Sequence, residues 1–308
     1  MKDQVTAWAP ATVANLNVGF DGLGCALKSP GETIEAKRTT EHAEVRITEI
    51  LGPGGLSRDV LRNVAGMAAL SLHRALSPGV GVDLVIRKEI APGSGIGSSA
   101  ASAAAAVVAI DGLFEAGLRP DEMLPFALDG EALASGARHA DNVAPALMGG
   151  LVLCPPEGRP MTIPVPADWP MLIIHPQVEI RTADARGVLP SEVPFRDAID
   201  QARWFATFVA ACGSGDADAA LFALEDLLVT KHRARLLPGF DAIRAAAFEA
   251  GARAGGIAGS GPSTFWVGAE GSDLSGLALN VQKICEELEI DVVIHHTGIA
   301  QLGAHILP

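Results

Sequence analysis

A strand-like run, Val82-Asp83-Leu84-Val85-Ile86, is followed two residues later by Glu89-Ile90-Ala91-Pro92-Gly93-Ser94-Gly95-Ile96-Gly97-Ser98-Ser99-Ala100-Ala101. Residues 93–99 hold three glycines and three serines, and alanines then dominate up to Ala106. A strand, a glycine turn and a helix start form an anion site: free N–H groups and the positive end of the helix dipole converge on one point, and glycines let the anion approach the main chain. Ser98 and Ser99 fall at the expected N-cap, where a hydroxyl can cap the helix or meet an oxygen-seeking cation. An ordinary Gly-rich turn with a serine cap is the plain alternative. The alanines argue against it, because a helix with so little side-chain bulk at its start leaves a space above the turn to be filled. The helix is expected to run to about Gly117. No Lys follows the last glycine, so this is not the GxxxxGK[ST] phosphate loop. Nor does an acidic residue close a strand about 20 residues on, as a dinucleotide fold would want.

At 308 residues the chain is long enough for two domains or one large α/β unit. Apolar residues make up 49% and charged residues 19%, which excludes a disordered chain. A net charge of −13 argues against nucleic acid or an anionic membrane as partner. A nucleotide could bind only in a local pocket of N–H groups, Mg²⁺ and a few cations. Cys25, Cys154, Cys212 and Cys285 have no metal or CxxC spacing and read as reduced structural thiols of a cytoplasmic protein. The longest apolar run, near 103–110, is too short to span a bilayer.

Taken in order, Val5–Ala9 reads as a short strand, and Thr33–Arg38 and Glu44–Ile50 as two more. Asp59–Leu76 carries helical periodicity. A further helix starts at Pro120-Asp121-Glu122, with a proline and two acids in its first turn, and runs to about Ser135 with Glu131 near its end. His139, Asp141 and Asn142 then stand in what reads as a loop ahead of Gly149-Gly150, an unusual set of polar groups beside Val143-Ala144-Pro145-Ala146-Leu147. A Pro-rich connection over 155–170 places a domain boundary near residue 160. A strand at Met171–His175 follows, then helices over Phe195–Cys212, Asp216–Val229 and Phe240–Ala250. Gly255–Phe265 reads as strand, glycine loop, strand, and a helix and strand complete a β-β-α-β piece.

Four separated motifs resemble those of one family in the same order. Pro92-Gly93-Ser94-Gly95-Ile96-Gly97-Ser98-Ser99-Ala100-Ala101 resembles the ATP loop of the GHMP kinases, with Ile96 where Leu is commoner. Asn15, Val18, Gly19, Phe20, Asp21 and Gly24 match the N-terminal motif of the homoserine kinases, A-P-x-(T/S)-x-A-N-x-x-V-G-F-D-x-(L/F)-G. The segment 135–150 is similar to that family's S-G-(A/S)-x-H-x-D-N-V-A-P-x-x-x-G-G, and 255–263 to the superfamily's C-terminal glycine motif. Thr182 and Arg186 match T-x-x-A-R, and Arg233 matches R-x-(K/R)-L-(I/L)-P. Read without the resemblance, either arginine is a solvated charge near a helix end.

The resemblance implies an α+β, two-domain GHMP kinase fold. Residues 1–160 would form an N-terminal ATP-binding domain like ribosomal S5 domain 2, and 161–308 a ferredoxin-like C-terminal domain. It implies ATP-dependent phosphorylation of the side-chain hydroxyl of L-homoserine, a step of threonine biosynthesis, by a homodimer. Backbone N–H groups of 93–99 would hold the phosphates, Asn63 would meet the adenine, and Ser98 and Glu131 would bind Mg²⁺. Asn15, Asp21 and His139 would hold the amino acid, and Arg186 and Arg233 its carboxylate. Asn142 would orient the hydroxyl, with Asp141 the other candidate for facing it. Two alternatives stand beside this: another small-alcohol kinase of the superfamily, of mevalonate or shikimate type, and a catalytically inactive ligand-binding relative.

Overall fold

The structure, a computed structural model, describes residues 1–76, 78–136 and 138–308. Ala137, one position of the His-Asp-Asn motif, lies outside the described residues, as does Ser77.

The chain opens with a long antiparallel pair, β1 (Gln4–Ala14) and β2 (Leu23–Thr39). Alternate residues Val5, Ala7, Ala9, Ala11 and Val13 are buried, as a strand with one face on a core requires. The expected strand Val5–Ala9 therefore continues five residues further. A register shift between Pro10 and Thr12 lets the proline stand in the ladder. Next come β3 (Val45–Leu51), a 3-10 turn at Val60–Arg62 and α1 (Val64–Leu76). The expected continuous helix 59–76 is thus interrupted: Asn63 is extended, at φ −124°, and its side chain accepts from Gly66 N to start α1 afresh. β4 (Gly81–Arg87) leads into the glycine turn and α2 (Ser98–Phe114). The N-cap of α2 is Gly97, in the left-handed region at φ +68°, rather than Ser98 or Ser99. The serines are instead the first two residues of the helix, where the hydroxyl of Ser98 is used for other contacts.

Because the first half of α2 is rich in alanine, it can be closely enclosed, and Ala100, Ala101 and Ala103–Val107 are fully buried. α3 (Pro120–Ser135) starts as its first turn predicts, with Glu122 accepting from Arg119 N at 2.9 Å. The segment expected to be a loop before Gly149 is instead a short helix, α4 (Ala140–Met148), with Pro145 inside it. Its apolar residues 143–147 face the core, and this places Asp141 and Asn142 in the first turn of a helix. β5 (Leu151–Leu153) and β6 (Met161–Ile163) pair beyond β2.

The second sheet is antiparallel: β7 (Pro170–Pro176), β8 (Ala252–Ile257), β9 (Thr264–Gly268) and β10 (Val292–Gly298), in the order β10-β7-β9-β8. Fourth, first, third, second is the ferredoxin-like arrangement the resemblance implies. Its connections hold α5 (Thr182–Gly187), α6 (Phe195–Ser214), α7 (Ala217–Phe222), α8 (Thr230–Arg233), α9 (Phe240–Glu249) and α10 (Ser275–Glu287). The expected helix 216–229 ends early. Asp226 accepts from the N–H groups of Leu228, Val229 and Thr230 and so begins a new turn there. Finally β11 (His305–Ile306) returns to pair with β1, so the first sheet runs β11-β1-β2-β4-β3 with β5 and β6 beside β2. That sheet therefore takes strands from both sides of residue 160.

One face of the second sheet packs on the first unit through Met171, Ile173, Phe265 and Val267; the other packs on α9 and α10. All four cysteines are buried and free, and burial pushes the thiols of Cys25, Cys154 and Cys212 up to about 12, which makes them inert. Among the described residues no helix is long and apolar enough to cross a membrane.

Candidate active site

One continuous cleft of about 340 Å³ lies where the two units meet. One end is the glycine turn. Gly93, Gly95 and Gly97 have φ of +76°, +83° and +68°, conformations that side-chain-bearing residues resist. The turn is clamped from both units: Thr12 N donates to Ile96 O at 3.1 Å, and Ser263 donates to Ser94 O from its N (3.2 Å) and its Oγ (2.6 Å). A Cβ at Gly95 would press on the carbonyl of Gly261 and one at Gly97 would overlap the hydroxyl of Thr12. The C-terminal glycine motif therefore does pack against the phosphate turn. Pro92, Gly93, Gly95, Gly97, Ser98 and Ser99 line the cleft, whereas the side chains of Ser94 and Ile96 are buried beneath it.

Asn63 lines the cleft beyond the turn, buried, with its Nδ2 donating to Ser57 O at 2.9 Å. Glu131, buried on α3, also faces the cleft. The hydroxyl of Ser98 donates to Ile90 O at 3.0 Å, so its oxygen lone pairs are left for cations, and Lys88 Nζ takes one at 2.7 Å. An anionic carboxylate and a hydroxyl oxygen suit a hard divalent ion. The described residues hold no group of three or more His, Cys, Asp or Glu that could bind a metal by themselves. Such an ion would complete its shell with phosphate and water oxygens.

The other end is charged. Asp21 and Arg186 form a two-point ion pair, Nη1 to Oδ2 at 3.1 Å and Nη2 to Oδ1 at 2.9 Å, with His139 Nε2 3.3 Å from Nη2. Arg233 is buried; its Nε donates to Ala185 O and its Nη1 to Gly259 O. Both guanidinium groups lie over the ring of Phe20, Arg186 Cζ at 5.7 Å and Arg233 Cζ at 5.2 Å from its centre, a double cation–π contact. Asn15 borders this end, but its amide is already engaged, accepting from Asp21 N and donating to Gly259 O. It ties the N-terminal loop to the C-terminal glycine motif.

Asp141 and Asn142 both line the middle of the cleft. Asn142 Oδ1 accepts from the Thr12 hydroxyl at 2.8 Å. Asp141 is 5% exposed, and burial, then the nearby charge of Asp21, raises its carboxyl to about 6.

Thr12, Phe20, Glu32 and Lys88 were not singled out as site residues by the sequence. The signal for the last two was available in strand alternation. Glu32 shares the inward parity of Ile34 and Ala36, and Lys88 that of Leu84 and Ile86. With Thr33 opposite Arg87, the register sets Glu32 beside Lys88, and the charged groups meet at 3.0 Å.

Fold and cleft together define the GHMP kinase class, and the family model described as "GHMP kinases N terminal domain" matches residues 62–150. The homoserine kinase of Xylella fastidiosa (strain 9a5c) is 43% identical over 263 residues, which is 85% of this chain and 81% of that protein. The homoserine kinase of Halorubrum lacusprofundi is 36% identical over 98% of this chain and 99% of its own length. Among solved structures, a homoserine kinase from Cytophaga hutchinsonii superposes with a TM-score of 0.94 at 36% identity, covering 100% of this chain and 98% of that one. The L. major mevalonate kinase solved in complex with R-mevalonate shares the fold at a TM-score of 0.71 and 16% identity, covering 97% of this chain and 95% of its own. The chain belongs to the homoserine kinase family of GHMP kinases.

Proposed function

We propose that the cleft transfers the γ-phosphoryl group of ATP to the side-chain hydroxyl of L-homoserine, giving O-phospho-L-homoserine and ADP. One observation carries this reading: a single cleft is lined at one end by the glycine turn and at the other by Asp21, Arg186 and Arg233. An anion site and a site for opposite charges, joined by one space, suit a nucleotide and a zwitterionic alcohol.

Phosphoryl transfer asks the protein for position and charge more than for covalent chemistry. The first N–H groups of α2 have no partners within the helix and take the phosphates together with the turn. Asn63 borders the adenine. Ser98 and Glu131 would hold Mg²⁺, which would supply positive charge against the phosphates. Arg186 and Arg233 take the substrate carboxylate, Asp21 its ammonium, and Asn15 and His139 border that end. With Oδ1 held by Thr12, Asn142 has Nδ2 left to donate to the substrate hydroxyl oxygen. The bond from that oxygen to phosphorus forms as the bond to the β,γ-bridging oxygen breaks, ADP leaves with that electron pair, and the hydroxyl proton passes to solvent water. A loose transition state makes little demand on a base before then, so Asn142 orients and Asp141 supports.

The test is transfer from [γ-³²P]ATP to L-homoserine, mevalonate, shikimate and 4-hydroxybutyrate. Homoserine should be labelled far faster than the others. Equal labelling of homoserine and 4-hydroxybutyrate, or preference for either cyclic or branched alcohol, sinks the reading. The homodimer implied by the family is read by sedimentation velocity: a single species at twice 31.7 kDa is expected.

A further inference from the structure

Directly beneath the phosphate turn sits a charged pair that the mechanism above does not use. The Lys88 side chain is 2% exposed and that of Glu32 is 0%. Lys88 Nζ lies 3.0 Å from Glu32 Oε1, 2.7 Å from Ser98 Oγ, 2.8 Å from Ser102 Oγ and 3.3 Å from Ser98 O. Glu32 Oε1 also accepts from Ile90 N at 3.2 Å, while Oε2 is buried with no hydrogen-bond partner among the described residues.

This arrangement is expensive. A buried pair regains its desolvation cost only when the geometry is good and the remaining lone pairs are satisfied, and one carboxylate oxygen here is not. The cation also stands beside the first turn of α2, where the helix dipole disfavours positive charge. Stability alone would favour an apolar pair of the same size. Lys88, Ser98 and Ser102 nonetheless all border the cleft. The one occupant that would repay a cation there is an anion above the turn.

We propose that Lys88, tethered by Glu32, is a positioning residue for the phosphates of the bound nucleotide. It fixes the hydroxyls of Ser98 and Ser102, and it adds a fixed positive charge of the protein's own to a turn whose main chain offers only N–H dipoles. Glu32 holds the ammonium in place and balances it when the cleft is empty. This rests on the reading of the cleft as an ATP site.

The experiment compares wild type, Lys88→Met and the double variant Glu32→Gln/Lys88→Met. ADP and adenosine binding are read by calorimetry, with steady-state kinetics and thermal melts alongside. The double variant removes both charges and keeps an acceptor for Ile90 N, so it should melt near wild type while Lys88→Met melts lower. Both variants should bind ADP at least tenfold more weakly, with adenosine affinity and KM for homoserine unchanged, because the charge acts only on phosphate. The ratio of the ADP and adenosine constants does not depend on the folded fraction, so it decides the matter even if a variant is partly unfolded. Wild-type ADP-to-adenosine ratio and turnover in the double variant would overturn the proposal and leave the pair as packing. If wild type binds ADP but does not phosphorylate homoserine, the substrate reading fails and the Lys88 comparison stands. A wild type that binds no ADP overturns both.

Discussion

In the proposed reading of the cleft, the phosphate end offers main-chain N–H donors on a turn of glycines, whereas the homoserine end offers charged side chains from three separate segments. Each end also holds an ion pair, and the two pairs differ in the same sense. Glu32–Lys88 is sealed under the turn. Asp21–Arg186 stands in the cleft with side chains 37% and 38% exposed. The buried pair is fixed, as the proposed phosphate site would require. The open pair presents to solvent the two charges that a zwitterion needs, matched to each other until a ligand replaces one contact with two. A phosphate site can be built from backbone because every nucleotide brings the same phosphates. Selecting one alcohol requires side chains, whose charges can be placed individually.

The largest effect should come from the main chain itself. Gly97→Ala forces a left-handed conformation on alanine, drives its Cβ into the Thr12 hydroxyl and brings that Cβ to 3.1 Å from Asn142 Oδ1, so it disturbs the turn and the residue proposed to hold the substrate hydroxyl. A combined strain of roughly 3–4 kcal/mol corresponds to about 10²–10³-fold in kcat/KM for ATP. Gly117→Ala is the control: φ is +72° but nothing lies within 4 Å of the added Cβ. It should cost about 1 kcal/mol of stability and leave kinetics unchanged. Equal kinetic losses in the two variants would mean that glycine flexibility, not close approach, matters at residue 97.

At the other end, Arg186→Leu removes a guanidinium that is half in solvent and should lower kcat/KM for homoserine by about tenfold to a hundredfold, the worth of a charge-assisted pair of roughly 1.5–3 kcal/mol. KM for ATP should stay near wild type, and slow ATP hydrolysis without acceptor should survive. The variant should also lose most of its preference for homoserine over 4-hydroxybutanol. An unchanged preference would remove Arg186 from substrate recognition and leave the ends of the cleft less distinct than drawn here.

The difference between the ends also decided what could be read in advance. The glycine turn is local, so Pro92–Ala101 displayed its geometry in ten consecutive residues. Asp21, His139, Arg186 and Arg233 lie more than 200 residues apart at the extremes, and nothing in their own neighbourhoods distinguishes Arg186 from a solvated charge; the family motifs alone brought them together. Local cues also misplaced the N-cap of α2, since serine favours that position on propensity while a left-handed turn needs Gly97. The helix at 140–148 was hidden by Pro145, which tertiary packing of Val143, Ala144 and Leu147 overrides. Glu32 and Lys88 were visible as inward charges on two strands, but only the register between those strands makes them a pair.

Asp141 lies between the two ends and tests whether the middle needs a base. Its folded carboxyl titrates at about 6 against an ordinary 3.8. The native state therefore binds its proton more tightly than the unfolded chain, and stability is lost as pH rises from about 4 to about 6. Asp141→Asn keeps the shape without the charge. In denaturant titrations it should be more stable than wild type at pH 7.5, by about 2–3 kcal/mol at most, with the gain gone near pH 4. Turnover should stay within tenfold. A fall of roughly 10²–10⁴-fold with a lost acidic limb in the rate profile would make Asp141 a general base and replace orientation by Asn142 as the account of the reaction.

The smallest effect is the one that best separates the two ion pairs. If Asp21–Arg186 is held ready for exchange, it must contribute little to the folded state, as exposed pairs do, at about 0–1 kcal/mol. A double-mutant cycle with Asp21→Asn and Arg186→Gln, read by denaturation, should give a coupling energy inside that range. The same cycle read by L-2-aminobutyrate binding should give a larger one, because this zwitterion needs both charges at once. Butyrate and propylamine, each with a single charge, should compete poorly with homoserine in the wild type, since either leaves one member of the pair without its partner. A stability coupling of several kcal/mol would make Asp21–Arg186 a fixed strut like the buried pair beneath the turn. The contrast between the two ends would then disappear, and the substrate charges would have to be met by Arg233 and groups other than Asp21.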